Sequence, residues 1–301
     1  MLEMRRVRLL VELDRRGSLA AVADALHLSA SGVSAQIARL EREVQATLVT
    51  KVGRRLRLTD AGERLAESGR RLLAEMEAAE TELRELSGEL AGTLRLAAFQ
   101  SAALLLLPRV LRRACAHPAL RIELIEAEPE EAVPALLAGD FDLVVAEEYP
   151  GVRPWIPDET CRFELGEDPL HVIVSESLLC GRTLSVAGGR IPWVMEARGS
   201  AAREWAELTC RRMGFEPDVR FESDDLLVHL ELIEAGLAGG MLPSLVASRA
   251  KRDLNWFPTG NARTLLTLTR PGTERRPAIR AVRAELCTAL RDLNSARILP
   301  D

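Results

Sequence analysis

Ser29-Ala30-Ser31-Gly32-Val33-Ser34-Ala35-Gln36-Ile37-Ala38-Arg39-Leu40-Glu41 carries one apolar and one small polar face. Val33, Ile37 and Leu40 recur at i, i+4 and i+7, the spacing of one buried helix face. The opposite face carries mostly small hydroxyl, amide and methyl side chains. Such a face suits insertion into a groove, because long side chains would hold the backbone away from the base edges. The segment reads as a DNA recognition helix with Ser29 or Ser31 as its N-cap.

Upstream, Leu2, Val7, Leu9, Leu10 and Leu13 mark a helix over residues 2–16. Gly17 ends it and Ser18 is a good N-cap for the next. That second helix, Leu19 to His27, carries Ala20, Ala21, Ala23 and Ala25, and small side chains let two helices cross closely, as a helix-turn-helix needs. His27 reads as a turn residue, since no second metal-type residue sits at helical spacing. Downstream, Leu48 to Thr59 holds two alternating β-prone runs about Gly53, a hairpin or wing. Its Lys51, Arg54, Arg55 and Arg57 can lie on phosphates or in a narrow minor groove. A merely solvated charged hairpin is the alternative.

From Thr59 a long helix runs to about Ser87. Thr59 or Asp60 caps it, and Glu63 completes a capping-box spacing with Asp60. Leu65, Gly69, Leu72, Met76, Ala79, Leu83, Leu86 and Leu90 follow a 4-3-4-3-4-3-4 spacing, a heptad stripe with a weak rung at Gly69. The stripe predicts a dimerising helix, because two-fold DNA sites require paired heads. A lone amphipathic helix packed on its own domain is the alternative.

Composition agrees with a DNA-binding head on a different body. The chain has 301 residues, 47% of them hydrophobic, enough for two or three compact units. Residues 1–60 carry 11 basic against 7 acidic side chains, although the whole chain has net charge −5. Only the head is suited to a polyanion. Five scattered cysteines without a C-x-x-C pair fit reduced thiols in a cytosol, with a redox sensor left open. The opening residues lack the apolar core of an export signal, and no run of about 18 apolar residues occurs. A cytoplasmic protein without a membrane span is expected.

Beyond Ala91-Gly92 strands and helices alternate. Thr93–Phe99, Arg121–Glu126 and Asp142–Ala146 read as strands, with a helix to Ala116 (started late or kinked at Pro108) and another over Pro129–Ala138. A second set has strands near Arg162–Leu165, Leu170–Val174, Ile191–Met195 and Val219–Glu222, and helices near Ser200–Met213 and Asp224–Ala235. Arg263–Thr269 is a late strand and Pro277–Ala296 a final helix. The order implies a mostly parallel sheet in two α/β lobes.

The series Gly17-Ser18, Leu28-Ser29, Val33-Ser34, Gln36-Ile37, Arg39-Leu40-Glu41, Arg57-Leu58-Thr59 and Ala61-Gly62 resembles the N-terminal domain of LysR-type transcriptional regulators. Family members usually carry Gln-Pro where this chain has Ala30-Ser31, and a basic residue at Ala35. Base readout is therefore expected to lean on Ser31, Ser34, Gln36 and Arg39, or on DNA shape. His117-Pro118, Gly139-Asp140-Phe141-Asp142-Leu143 and Glu234 to Pro243 resemble the family's periplasmic-binding-protein-like effector domain more loosely. The resemblance implies a winged helix-turn-helix over 1–59, a linker helix over 60–90 and an effector domain over 91–301, with lobe 1 at about 91–161 and 268–301 and lobe 2 at 162–267. It implies a homodimer or dimer of dimers on a partly palindromic double-stranded operator, with RNA polymerase admitted as a further partner. The expected DNA-binding set is Ser18, Ser29, Ser31, Ser34, Gln36, Arg39, Lys51, Arg54, Arg55 and Arg57. The expected dimerising set is Leu65, Leu72, Met76, Leu83 and Leu86.

In open α/β sheets ligands bind beyond the carboxyl ends of strands, often at helix N-termini. Four such ends are Phe99-Gln100-Ser101, Ala146-Glu147-Glu148, Glu196 to Ser200 with Arg198, and Ser223-Asp224. In the resembled family effector carboxylates meet hydroxyl and backbone N–H groups at positions matching Ser101 and Ser200, though each serine is equally a plain helix cap. Glu147, Glu148, Glu196 and Asp224 stand against one obvious cation, Arg198. If they point inward, an amino-acid-like effector fits, with its carboxylate on serine or Arg198 and its amine on the acids. The alternative is that these acids sit on solvated loops. Gly-x-Ser-x-Gly and Gly-x-x-x-x-Gly-Lys-Ser/Thr are absent, and the four histidines at 27, 117, 171 and 229 are dispersed. No catalytic residue, metal or cofactor is expected. An enzyme fused to a winged helix and an effector-independent DNA-binding protein are the alternatives.

Overall fold

The structure, a computed structural model, describes residues 2–26, 28–52, 55–85, 90, 92–114, 117–153, 156–247, 249–250 and 254–295. The chain divides into two compact units, residues 1–88 and 89–301.

The first unit comprises α1 (Met4–Arg16), α2 (Leu19–Leu26), α3 (Ala30–Val44), β1 (Val49–Val52), β2 (Arg55–Leu58) and α4 (Asp60–Glu85). Its core is built by the apolar face of α3, Val33, Ile37 and Leu40, against Leu9, Leu10 and Leu13 of α1 and Val22 of α2. Gly17 adopts φ +70° and closes α1. β1 and β2 pair antiparallel, Val49 opposite Leu58 and Lys51 opposite Leu56. Glu41 anchors this hairpin to α3, since its Oε1 accepts from the Leu48 and Val49 amides at 2.8 and 3.2 Å.

The cap of α4 is Thr59, not Asp60: its Oγ1 accepts from the Gly62 amide at 3.1 Å and donates to the Thr47 carbonyl at 2.7 Å. The expected Asp60–Glu63 capping box is therefore not used, because the threonine hydroxyl serves both the helix and the loop before β1. Gly62 is required by contact: a Cβ there would stand 2.1 Å from the Leu48 carbonyl oxygen. Gly69 is likewise a packing position and not a weak heptad rung. Its Cβ would lie 2.5 Å from Val7 Cγ1, so α4 crosses α1 at that point.

The second unit contains β3 (Gly92–Ala98), α5 (Gln100–Leu105), α6 (Leu107–Ala114), β4 (Leu120–Glu126), α7 (Pro129–Ala138), β5 (Leu143–Glu148), β6 (Cys161–Ser175), α8 (Glu176–Leu179), α9 (Leu184–Ala187), β7 (Pro192–Met195), α10 (Ala201–Arg212), β8 (Asp218–Glu222), α11 (Leu226–Glu234), β9 (Gly240–Pro243), α12 (Ser244–Ala247), β10 (Leu254–Thr269) and α13 (Pro277–Ser295). A six-stranded sheet runs β4-β3-β5-β10-β6-β9, and β7 pairs β8. Among the named strands, β4-β3-β5 and β7-β8 pair parallel. The sheet is mixed because the expected short strands near Arg162, Leu170 and Arg263 belong to two long ones, β6 and β10, which run antiparallel from one lobe to the other. β10 already pairs β5 over Thr264–Leu268. The helix after β3 breaks at Leu106, just before Pro108, giving α5 and α6.

Helices cover both faces of each lobe, with Leu96, Val145, Ile279 and Leu286 in one core and Trp193, Trp205 and Val172 in another. The Gly139–Leu143 motif has a mechanical reason. Gly139 ends α7 at φ +89°, and Asp142 is buried, accepting from Arg276 and from the Arg95 amide, each at 2.8 Å.

Candidate functional site

In the first unit α3 is capped by Ser29, whose Oγ accepts from the Gly32 amide at 3.1 Å. Ser31, Ser34, Ala35 and Ala38 are exposed on the side of α3 away from Val33, Ile37 and Leu40. Arg39 is exposed, 4.0 Å from Glu43. Ser18 caps α2 by accepting from the Ala21 amide at 3.2 Å. Gln36 is exposed on the flank of α3, where its Oε1 accepts from buried Arg6 at 3.0 Å. On the hairpin the register puts Lys51 with Leu56 and Arg57 with Thr50, so strand alternation sends exposed Lys51 and Arg57 to opposite faces. They do not form one cluster. Gly53 and Arg54 lie outside the described residues, as do the side chain of Arg55, His27 and Leu86.

The exposed stripe of α4 is shorter than the heptad pattern predicts. Leu65 packs partly against the core of its own unit, beside Val7 and Leu48, and Gly69 is pressed against α1. Leu72, Met76 and Leu83 stay uncovered, at 51%, 47% and 69% exposure.

In the second unit a cleft of about 140 Å³ opens beyond the strand ends, lined by Phe99, Gln100, Ser101, Glu128, Glu147, Tyr149, Glu196, Ser200, Ala201, Asp224 and Arg263 among others. A cavity of that order holds a benzene-sized molecule. Arg263, on β10, is buried and saturated by the protein. Its Nε and Nη2 donate to Asp168 at 3.1 and 2.8 Å, Nη2 to Ser101 Oγ at 2.8 Å, and Nη1 to Glu147. The guanidinium also lies 5.2 Å from the Phe99 ring centroid. Burial disfavours its charge, but Glu147 and Asp168 more than offset this and hold its pKa above the ordinary arginine value.

Among the described residues Glu128 and Glu196 have no ion-pair partner, and Asp224 accepts from the Ala197 amide at 2.9 Å. Glu128 is exposed at the rim, yet its partial enclosure, with Glu147 nearby, pushes it up to about 7. Burial also pushes Glu196 up to about 7, with Glu147 and Asp224 adding to it. Glu147 itself is raised by burial despite Arg263, and Tyr149, which donates to Glu147 at 3.2 Å, is raised well above its usual value by the same cause. Across the mouth Gln100 ties α5 to the start of α11. Its Nε2 donates to Asp225 Oδ1 at 2.7 Å, and its Oε1 accepts from the Leu226 amide at 2.9 Å.

The structure brings Phe99, Gln100, Ser101, Glu147, Glu196, Ser200 and Asp224 together and leaves four expected residues out. Ala146 is fully buried inside β5. Arg198 is exposed on its turn and does not line the cleft, and Ser223 spends its hydroxyl on the Asp225 amide at 3.1 Å. Glu148 points elsewhere and forms a two-pronged pair with Arg162 at 2.8 and 2.7 Å. Ser200 acts as the α10 cap, accepting from the Arg203 amide at 3.1 Å and donating to the Ala197 carbonyl at 3.0 Å. The residues missed were Arg263, Asp168, Tyr149 and Glu128. Glu128 was findable, directly before the Pro129 helix start; the first two sit within long strands whose pairing no local pattern discloses. Among the described residues no three His, Cys, Asp or Glu side chains converge as metal ligands.

A helix-turn-helix with a hairpin wing, on a chain whose other unit is a two-lobed α/β domain with a ligand-sized cleft, defines a ligand-responsive transcription regulator. Residues 4–63 match the bacterial regulatory helix-turn-helix protein family, lysR type, and residues 87–291 match the LysR substrate binding domain. The chain belongs to the LysR family of transcriptional regulators, which are not enzymes. It is 31% identical over 150 residues to the regulator ClcR of Pseudomonas putida, spanning 50% of this chain and about half (51%) of ClcR. It is 25% identical over 282 residues to the DNA-binding transcriptional dual regulator OxyR of Escherichia coli, covering 90% of each. Among solved structures, a full-length OxyR variant from Pseudomonas aeruginosa has the same fold, with TM-score 0.69 at 18% identity over 95% of both chains. No helix among the described residues is long and apolar enough to cross a membrane.

Proposed function

We propose that α3 enters the major groove of a partly palindromic operator, presenting Ser31, Ser34, Ala35 and Arg39, while Arg57 and its hairpin neighbours meet phosphate. Two copies pair through the uncovered side chains Leu72, Met76 and Leu83, and pairs of such dimers occupy longer sites. At a promoter in the cytoplasm, RNA polymerase is the further partner. The effector is a small amine-bearing molecule, amino-acid-like in form. The observation that carries this is the charge balance of the cleft: among the described residues Glu128, Glu130, Glu147, Glu196 and Asp224 line it with one cation, Arg263, already engaged by Glu147, Asp168 and Ser101. A cationic group offsets that surplus, and a plain dicarboxylate adds to it. With Arg198 outside, an effector carboxylate falls to the first turn of α10, where Ala201 and Ala202 line the cleft.

Effector binding between the lobes shifts the balance between two arrangements of the paired DNA-binding heads. Footprinting of the full chain on the DNA flanking its own gene tests this. Two protected half-sites about one helical turn apart are expected, with a boundary that moves when arginine is added. A footprint indifferent to every amine and altered by a dicarboxylate would overturn the effector assignment alone.

A further inference from the structure

Arg6 is a charged residue buried in α1, and each of its three nitrogens is engaged. Nε donates to Gln36 Oε1 at 3.0 Å, Nη1 to Glu43 and Nη2 to Glu3. Only 7% of the side chain is exposed, so the guanidinium is held from three sides and draws Oε1 of Gln36 toward α1. The two ends of a planar amide diverge from one carbon, so Nε2 of this exposed residue is turned the other way. A glutamine that reads adenine uses both ends: its oxygen accepts from N6 and its nitrogen donates to N7. Here the accepting oxygen is turned toward α1, with one of its two lone pairs taken by Arg6.

We propose that Gln36 meets DNA only as a hydrogen-bond donor, and that Arg6 is the positioning residue that sets this polarity. Its DNA partner is then an acceptor, which on the base edges means guanine N7 or O6 or thymine O4, and on the backbone a phosphate oxygen. The bidentate adenine contact is refused. Gln36 sits beside Arg39 on the flank of α3 and not at the centre of the outward face, so both kinds of acceptor are within its range of approach. The proposal rests on α3 being the reading helix, and deepens that assignment by giving one of its residues a fixed chemical sense.

Selection of randomised operator DNA by the full chain tests it, beside Gln36→Ala, Gln36→Glu and Gln36→Lys. Gln36 is exposed, but Gln36→Ala and Gln36→Lys remove the acceptor of buried Arg6 Nε, so thermal melting of each variant checks that it folds. The position whose preference disappears in Gln36→Ala is the one Gln36 reads. Guanine or thymine is expected there, with the preference kept by the donor-only Gln36→Lys and reduced about fivefold or more by the acceptor-only Gln36→Glu. If no position changes but affinity for every DNA falls alike in Gln36→Ala and Gln36→Glu, the acceptor is phosphate and the donor role stands. Adenine selected at that position, or wild-type binding by Gln36→Glu, overturns the proposal. Failure of the wild type to select any sequence would instead count against α3 as the reader.

Discussion

Arg263 and Asp168 form an ion pair at the base of the cleft, Nη2 to Oδ2 at 2.8 Å and Nε to the same oxygen at 3.1 Å, with both side chains essentially excluded from water. The pair joins the two long strands β10 and β6. Asp168 also accepts from the Leu245 amide at 3.0 Å, and Arg263 reaches Ser101 and Glu147. One buried guanidinium thus ties both connecting strands to α5 and to the end of β5. Removing one partner of such a pair leaves an uncompensated buried charge, which costs about 3–5 kcal/mol. Arg263→Met is therefore expected to lower the unfolding free energy of the second unit by that order in a urea titration. A loss under about 1 kcal/mol would mean that the pair contributes little.

The raised carboxylates give the cleft a pH dependence whose sign is fixed. Enclosure pushes Glu196 up to about 7 from an ordinary value of 4.5, and the more exposed Glu128 in the same direction. Their protonation favours the fold, so the stabilisation is complete below about 4.5 and is lost as pH rises through about 7. A bound cation acts in the opposite sense, because it favours the ionised carboxylates. Affinity for an amine should rise between about pH 6 and 8, and the rise should flatten in Glu196→Gln. Calorimetry across that range checks it; affinity that falls with pH would contradict the charge assignment.

Gly62 and Gly69 are both held by close contacts on the same helix, against neighbours that yield differently. A Cβ at 62 meets a backbone carbonyl oxygen at 2.1 Å, which cannot yield without moving the start of the hairpin. A Cβ at 69 meets the Val7 side chain at 2.5 Å, which has some room to rotate. Gly62→Ala should destabilise the first unit by roughly 1–3 kcal/mol or more, and Gly69→Ala by less. Thermal melting of the two variants orders them; the reverse order would show that α1 and α4 are the more rigid contact.

The uncovered side chains of α4 predict a defined assembly change. Met76→Asp and Leu83→Asp put charges on a stripe proposed to be apolar and paired. Sedimentation should show the assembly falling toward monomers at micromolar concentration, with operator affinity falling with it. Leu65→Asp should instead unfold the first unit, because Leu65 packs against that unit's core. An unchanged sedimentation profile for both stripe variants would move the pairing surface elsewhere.

The local elements were legible because periodicity reports them directly. The apolar spacing of Val33, Ile37 and Leu40 marked the recognition helix, and Gly17, Ser18 and Ser29 its punctuation. The cleft was legible only in part. Strand ends such as Phe99-Gln100-Ser101 and Glu147 are recognisable, because ligands gather at strand termini. Arg263 is not, since a cation within an apolar strand looks like a solvated edge residue until β6 and β10 are known to pair along their full length. Arg198 misled for the converse reason: a turn places a residue near a site in sequence without aiming its side chain inward. Gly69 was misread because heptad spacing alone does not tell an intrachain helix crossing from a dimer seam.

The cleft is proposed to take an amino-acid-like ligand whose cationic group offsets its carboxylates. Calorimetric titration of the full chain with arginine, with its uncharged isostere citrulline and with a small aliphatic dicarboxylate tests it most directly. Arginine is expected to bind, citrulline at least about tenfold more weakly, and the dianion to give no heat. Saturable binding of the dicarboxylate with no response to arginine would contradict it.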